Sequence, residues 1–578
     1  VFRLALASLA SSVLFGLAWP PFGLWWLVFV AAVPVLAVLT DRSGVARRWW
    51  TTWLVLVLTQ WPAWLFFQWW MIQLTPPGMV GLVLYCTVWT SAAFLVVGIL
   101  ARNASATGRL PLAILAPVAW TAVEFLRSTL VLGGYPWYQF GTPLVAGFDE
   151  AGVFAQSAAL FGEPFLASVA MAANGALVDV WHRRRGHAGV ATGRALGGGV
   201  AAALLVGAVA VYGLVRDRGT LRPGPATLLV QTNVSTSNKI AWSPEDQRRD
   251  VASFLRQSID GFDRAAAQGR APALVVWPET MVPGFGLEPE TIATLLEGPY
   301  FPGNLFSDAL DRLHRRLGVP LLVGAPVYLG LRVESSGGPG GDPTDGRWVW
   351  DRHFNSAYLI QAAPPYQRYD KLVLTPFGEE MPLISRSDWL EERLLAFGAP
   401  GMSFDLEAGD GIVRFTVDGT VLATPICFED TVGWLCRDLV YERGAKATHL
   451  LVNLSNDGWF GWSDIGRAHH LTHARVRSIE LAVPMLRAAN TGYSVLIDDE
   501  GRVTAWVDPP DAEAAGRPPG AARIPAELLA EPILTDRVTL YGRIGDVWAW
   551  TMLGSLALLL IAAFVGRSRG SVQPSRSA

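Results

Sequence analysis

Lysine is nearly absent from this chain. Of 46 basic residues only Lys239, Lys371 and Lys446 are lysine, and 43 are arginine. Charge of any kind is scarce: 16% of the 578 residues are Asp, Glu, Lys or Arg, where soluble globular proteins carry roughly 25%. That shortage speaks against a disordered chain and an ordinary cytosolic enzyme. A net charge of −3 offers no basic surface, so no nucleic-acid partner is expected. Three cysteines, Cys86, Cys427 and Cys436, exclude a disulfide scaffold. Any metal site would also need His or carboxylate ligands, and neither metal nor cofactor is expected.

What is abundant is apolar. Hydrophobic residues make 51% of the chain, with 25 Trp. They are concentrated in residues 1 to about 219 and again from Val547 to Val565, while 220 to about 543 reads as a soluble domain. A bilayer is crossed by roughly 20 apolar residues in a helix. Runs of about that length lie near 3–19, 23–40, 50–73, 79–100, 110–126, 157–181, 195–215 and 546–565. The expected domains are a seven-span bundle over 1–219, a catalytic domain over 220–543, and a last helix with its tail over 544–578. A removable leader is the other reading of the first run; its tight turn into an equally apolar second run favours retention.

Arg42, Arg47 and Arg48, then Arg102 and Arg109, then Arg183–Arg185, then Arg567, Arg569 and Arg576 fall in alternate loops. Basic loops stay cytoplasmic, which places both termini inside and the large domain outside. Trp19, Trp25, Trp26, Trp49, Trp50, Trp69 and Trp70 stand at span ends, where indole favours the headgroup level.

The outer domain alternates strand and helix patterns. Strands are expected at Thr227–Gln231, Ala273–Trp277, Leu321–Val327, Ala357–Gln361, Val421–Ile426, His449–Leu454, Tyr493–Ile497 and Arg502–Val507. Asp418-Gly419 and Asp499-Glu500-Gly501 read as hairpin turns. Helical spacing covers Pro244 to about Gln268, with Ser243 as N-cap, and also Leu305–Leu317 and Ile465–Leu481. Gly444 is expected to stop a helix that starts just after Cys427. Ser335–Arg347 reads as a flexible loop. The fold class is thus a multi-pass helical membrane bundle of about eight spans carrying an extracytoplasmic α/β sandwich domain.

Cys427 stands between the apolar run Val421–Ile426 and a helical pattern. A strand-to-helix turn exposes a nucleophile, lowers a thiol pKa and offers a backbone N–H to an oxyanion. Cys86 and Cys436 fall inside helical runs and read as packing residues. A base for the thiol is open from sequence: His353, His449, His469, His470 and His473 lack a marking context, while Glu279 closes the strand Val275–Glu279, where ligands bind in α/β folds. Lys371 sits in Tyr369–Glu380. Because a plain surface cation here would be arginine, a retained lysine points to work for a compact ammonium, such as oxyanion stabilisation. Lys239 and Lys446 read as solvated charges. Glu124 and Arg127, at the end of the fifth run, read as a pair with each other or with a headgroup.

Glu279, Lys371 and Cys427, in that order, resemble the Glu–Lys–Cys triad of the nitrilase superfamily. With the spans, the chain is similar to the apolipoprotein N-acyltransferase family. Trp277-Pro-Glu279, Lys371 to Glu379, Cys427-Phe-Glu429, Asn456-Asp-Gly-Trp-Phe-Gly461, Val230–Asn233, Gly134–Gly141 and Arg475–Glu480 carry the likeness. It departs at Phe428, where the family has Tyr, at Glu380 in place of an aromatic, and at Ala482-Val483-Pro484 in place of Gly-Arg-Pro. The resemblance implies a nitrilase-like sandwich in a bacterial inner membrane and a ping-pong transfer through a Cys427 thioester. The donor would be a phospholipid, the acceptor a diacylglyceryl-cysteine lipoprotein, and the protein a monomer. Glu379 would be a fourth site carboxylate, and Phe428 and Glu429 would support the oxyanion and the turn. Trp242, Trp459, Tyr135 and Trp137 would meet substrate, and Met381–Phe404 would form an amphipathic lid. The rival readings are an anchored amidase acting on a small soluble amide and a non-catalytic polytopic scaffold.

Overall fold

The structure is a computed structural model. It describes residues 1–41, 48–73, 76–103, 110–145, 147, 150–186, 192–234, 242–298, 300–335, 346–376, 378–380, 406–461, 463–507 and 523–570. The expected lid at Met381–Phe404, Lys239 and the central part of the Ser335–Arg347 loop lie outside the described residues. The chain forms two compact units: Val1–Asp217, Ile479–Leu481 and Thr539–Ala578 make one, and Arg218–Ser478 with Ala482–Val538 the other.

The first unit is helical: α1 (Phe2–Ala18), α2 (Val33–Leu39), α3 (Trp49–Gln68), α4 (Pro76–Arg102), α5 (Leu112–Phe125), α6 (Glu163–Arg184), α7 (Thr192–Val215) and a C-terminal helix Val547–Gly570. Among the described residues five stretches are long and apolar enough to cross a membrane: Gly78–Arg102, Leu112–Leu130, Glu163–Arg184, Ala195–Val215 and Val547–Val565. The other three expected spans differ for local reasons. Phe2–Ala18 is only 17 residues long. The second run is broken into a 3-10 turn Trp25–Phe29 and the seven-residue α2. In α3, Trp, Thr and Gln dilute the apolar residues. The run expected from 157 starts its long helix at Glu163, because Gly162 takes φ +77 and interrupts the chain there.

One expectation about this unit is corrected, and another is extended. Trp19 and Trp70 are not interfacial anchors but buried, at 1% and 3% exposure, and the Trp19 ring lies 5.0 Å from that of Tyr138. Glu124 and Arg127 both hold the 134–141 loop. Arg127 donates to the carbonyls of Tyr135 (3.0 Å), Trp137 (2.9 Å) and Tyr138 (3.4 Å). Glu124 Oε1 accepts from the Phe140 N–H (2.9 Å) and Trp120 Nε1 (3.2 Å). Two buried charges thus answer backbone groups that an apolar bundle would otherwise leave unpaired.

The second unit contains two six-stranded sheets. Their strands are β1 (Thr227–Gln231), β2 (Leu274–Val276), β3 (Leu321–Leu329), β4 (Arg352–Ile360), β5 (Gln367–Asp370), β6 (Phe415–Val417), β7 (Thr420–Ala423), β8 (Leu450–Ser455), β9 (Met485–Ala489), β10 (Val495–Ile497), β11 (Val503–Trp506) and β12 (Ala526–Ala530). The orders are β12-β1-β2-β3-β4-β5 and β11-β10-β9-β8-β7-β6. Three parallel strands lie at the centre of each, β1-β2-β3 and β9-β8-β7, with antiparallel strands outside. Central parallel strands point their C-terminal ends the same way, so the segments leaving β2, β7 and β8 gather at sheet edges where ligands bind in α/β folds.

Helix α8 (Pro244–Ala267) begins at the expected cap: Ser243 Oγ accepts from the Asp246 N–H at 3.1 Å. Its inner face, with Val251 and Phe254, packs with Leu310, Leu313 and Leu317 of α9 (Leu305–Leu317) into the core under the first sheet. Gly318, at φ +70, ends α9 in the left-handed region. Asp418-Gly419 makes the expected two-residue hairpin between β6 and β7, both at positive φ. Gly444 does not stop a helix. Cys427–Thr431 is a 3-10 turn, and α10 (Gly433–Val440) ends before a small hairpin whose turn is Arg443-Gly444, at φ +50 and +79. Lys446 is not a solvated charge either. It donates to the carbonyls of Ala482 (2.6 Å), Thr535 (2.9 Å) and Arg537 (3.2 Å), and burial pulls its pKa down to about 7.

Candidate active site

Lys371 leaves β5 into the site. Its side chain is fully buried, and its backbone N–H donates to the Asn355 carbonyl on β4 at 2.9 Å. The ammonium stands 2.6 Å from Glu379 Oε2 and 3.8 Å from Glu279 Oε1. Burial alone would lower the Lys371 pKa. Glu379 and then Glu279 outweigh it and hold the pKa above the ordinary lysine value, so the group stays charged. Glu379 is fixed by its own turn: its Oε2 accepts from the Thr375 N–H and hydroxyl, both at 2.8 Å. Burial opposes its ionisation, yet Lys371 and the Thr375 bonds keep its pKa below the usual value.

Glu279, 4% exposed, lies three residues past β2. Its Oε1 accepts from Asn355 Nδ2 at 2.7 Å, and the same amide reaches Glu379 Oε1 at 3.4 Å. Asn355 therefore spaces the two carboxylates on either side of the ammonium.

Cys427 is half-buried and opens the 3-10 turn with φ +49, a left-handed conformation rare for a residue with a Cβ. Strain of this kind persists where surrounding bonds over-determine it. Here they come chiefly from Glu429, which is fully buried. Its carboxylate accepts from the Ile426 N–H (2.7 Å) before the thiol, and from the Leu372 (2.6 Å) and Val373 (3.0 Å) N–H groups after Lys371. It also accepts the Tyr369 hydroxyl at 3.0 Å. One side chain thus ties the lysine segment to the cysteine turn. Burial pushes the Glu429 pKa up to about 7 against these donors. Burial, then Glu279, drive the Cys427 thiol well above its ordinary pKa, against the pull of Lys371. Glu279, Lys371, Glu379 and Cys427 therefore form one electrostatic set with a neutral thiol at rest.

The remaining residues fall in different places. Phe428 is buried beside Cys427 at 4% exposure. Trp459 is half-buried in the 3-10 turn Asp457–Phe460 after β8. Trp242 sits at the start of α8, where its Nε1 donates to Asp250 at 3.0 Å. Tyr135 and Trp137 are buried in the helical unit, rings stacked at 6.1 Å, with the Tyr135 hydroxyl against Gln68. Sequence reading missed Asn355, Thr375 and Tyr369. Tyr369 and Thr375 stood inside the Lys371 motif, but Asn355 lies ahead of the strand expected at Ala357–Gln361, in a part of the observed strand that carried no signal. Among the described residues no group of three His, Cys, Asp or Glu is placed to hold a metal.

Comparison with known proteins defines the class first. Residues 229–514 match the carbon-nitrogen hydrolase family, and residues 11–176 match the apolipoprotein N-acyltransferase N-terminal domain. A unit with several helices apolar enough to span a membrane, joined to a carbon-nitrogen hydrolase fold, is thus the class. An apolipoprotein N-acyltransferase of Bordetella bronchiseptica is 30% identical over 79% of this chain and 73% of its own length. One from Geobacter metallireducens is 26% identical over 97% of this chain and 96% of its own. One from Bradyrhizobium diazoefficiens is 28% identical over 84% and 79%. This chain belongs to the apolipoprotein N-acyltransferase family.

Proposed function

We propose that this chain moves an acyl group from a phospholipid to the N-terminal amine of a diacylglyceryl-cysteine lipoprotein, by way of a thioester on Cys427. The observation that carries the reading is the buried ammonium of Lys371 held between Glu279 and Glu379 beside a strained cysteine turn. A neutral thiol needs a base at the moment of attack, and Glu279 is the carboxylate whose charge bears most on Cys427. In this reading Glu279 takes the thiol proton as sulfur adds to the ester carbonyl. Lys371 and the Phe428 N–H hold the oxyanion. The lysophospholipid alkoxide leaves with that proton; the acceptor amine then attacks the thioester as Glu279 takes its proton, and the C–S bond breaks to release the amide and the Cys427 sulfur, which takes that proton back as the thiol. Glu379 positions Lys371, and Glu429 fixes the turn. Trp459, Trp242, Tyr135 and Trp137 are proposed substrate contacts.

Both substrates are lipids, which accounts for a catalytic fold built into a chain with several membrane-length helices. Eight spans, a monomer in a bacterial inner membrane, the catalytic domain over 220–543 on the outer face and both termini inside complete the proposal. The test supplies purified protein with phospholipid labelled in its sn-1 acyl chain and a diacylglyceryl-cysteine peptide with a free amine. Labelled amide on the peptide is expected. Hydrolysis of small soluble amides with no label on the peptide would favour an amidase and overturn the reading.

A further inference from the structure

Behind the cysteine turn lies a second cluster of charges. His470, on α11 (Asp464–Leu481), is 1% exposed. Its Nε2 is 2.8 Å from Asp430 Oδ1, and Asp430 sits three residues after Cys427 in the same 3-10 turn. Its Nδ1 is 3.1 Å from Asp457 Oδ1 and 2.8 Å from the Arg487 guanidinium. Arg487, on β9, donates twice to Asp457 at 2.9 Å, and Phe460 sets its ring 5.8 Å from the imidazole. All four charged side chains are fully buried or nearly so. The cluster joins the turn after β7, which bears Cys427, to the turn after β8, which bears Trp459.

The imidazole has a partner in either state. With both nitrogens protonated, Nδ1 donates to Asp457; with Nδ1 bare, it accepts from Arg487. Two carboxylates, one guanidinium and one imidazolium sum to zero, and loss of the imidazolium proton leaves one net negative charge. Asp457 and Arg487 both bear electrostatically on the thiol, beside Glu279, Lys371 and Glu379.

We propose that His470 is a positioning residue for Cys427: it ties the two functional turns together, and its proton keeps the cluster behind the thiol neutral. The proposal rests on Cys427 being the nucleophile of the preceding reading. Burial and the Arg487 guanidinium 2.8 Å away work against a charged His470, yet Asp430 first and then Asp457 outweigh them and raise its pKa to about 9. The imidazolium is therefore present at neutral pH.

The test is alkylation of Cys427 by iodoacetamide in the full chain in detergent, read by mass spectrometry on the Cys427 peptide from pH 6 to 10. It needs no lipid, so its failure is distinct from failure of acyl transfer. Removing one positive charge near the thiol is expected to slow alkylation of His470→Gln at pH 8 about tenfold, the effect of one pKa unit. The double variant Asp430→Asn/His470→Gln restores neutrality and is expected to recover most of that loss. A wild-type rate in His470→Gln, or a double variant as slow as the single, overturns the proposal. Should His470→Gln fail to fold, Asp430→Asn alone decides. It stays neutral at pH 10, where the wild-type cluster has lost its proton, so it should be alkylated several-fold faster there. An equal or slower rate overturns the proposal.

Discussion

Lys371 shows how much one side chain depends on its neighbours. A fully buried ammonium survives only because two carboxylates compensate its lost hydration. The site is filled by a compact group, and a planar guanidinium has a different shape and reach. Lys371→Arg and Lys371→Met are each expected to lower acyl-adduct formation about 10²- to 10³-fold, the loss typical of a deleted oxyanion donor. A Lys371→Arg protein of near-normal rate would show that any cation suffices. Glu429 gives a pH signature. Its folded pKa of about 7 lies above the ordinary glutamate value of 4.5. The protonated form is thus the one favoured by folding. That stability is complete below the unfolded pKa and is lost as pH rises through about 7, for a cost of about 3 kcal/mol. Melting temperature should therefore fall between pH 4.5 and 7.5 in the wild type and fall less in Glu429→Gln. Parallel slopes would contradict this account of the clasp.

At the scale of elements, Lys446 joins the carbonyls of Ala482, Thr535 and Arg537, from segments distant in sequence from its own. Lys446→Met removes the donor and strands those acceptors, which costs about 1–3 kcal/mol where the freed groups stay buried. A lower melting temperature with an unchanged Cys427 alkylation rate is expected; an unchanged melting temperature would show the contacts to be idle. The strands that were legible are those with uninterrupted apolar runs. Thr227–Gln231 and the helix Leu305–Leu317 match their expected bounds, because β-branched residues and a 3.6-residue period dominate there. The unread strands each carry a conflicting local signal. Gln367–Asp370 is polar and forms the edge of its sheet. Ala526–Ala530 has helix-forming composition. Met485–Ala489 holds an arginine at its centre, and Arg487 is tolerable inside because Asp457, Ser455, Tyr493 and His470, all from other segments, meet its guanidinium. Lys371 and Cys427 were legible because each is a scarce residue type in a marked context, and Glu279 because it closes an apolar strand run. Asn355 and Glu429's clasp were not, because their partners come from distant segments.

For the molecule as a whole, a charge average of 16% combines two solvents: helices that suit a bilayer and an α/β unit with ordinary polar faces. The proposed orientation puts the α/β unit outside. A cysteine introduced at the exposed Arg249, whose side chain is 61% accessible, should react with a membrane-impermeant maleimide in intact spheroplasts. Reaction only after lysis would reverse the topology. The central claim is that Cys427 carries the acyl chain as a thioester. The direct measurement is incubation of the purified protein with acyl-labelled phospholipid and no acceptor, followed by neutral hydroxylamine. The account predicts a protein-bound label that hydroxylamine releases and that Cys427→Ala abolishes. No label on the wild type, or an undiminished label on Cys427→Ala, would contradict it.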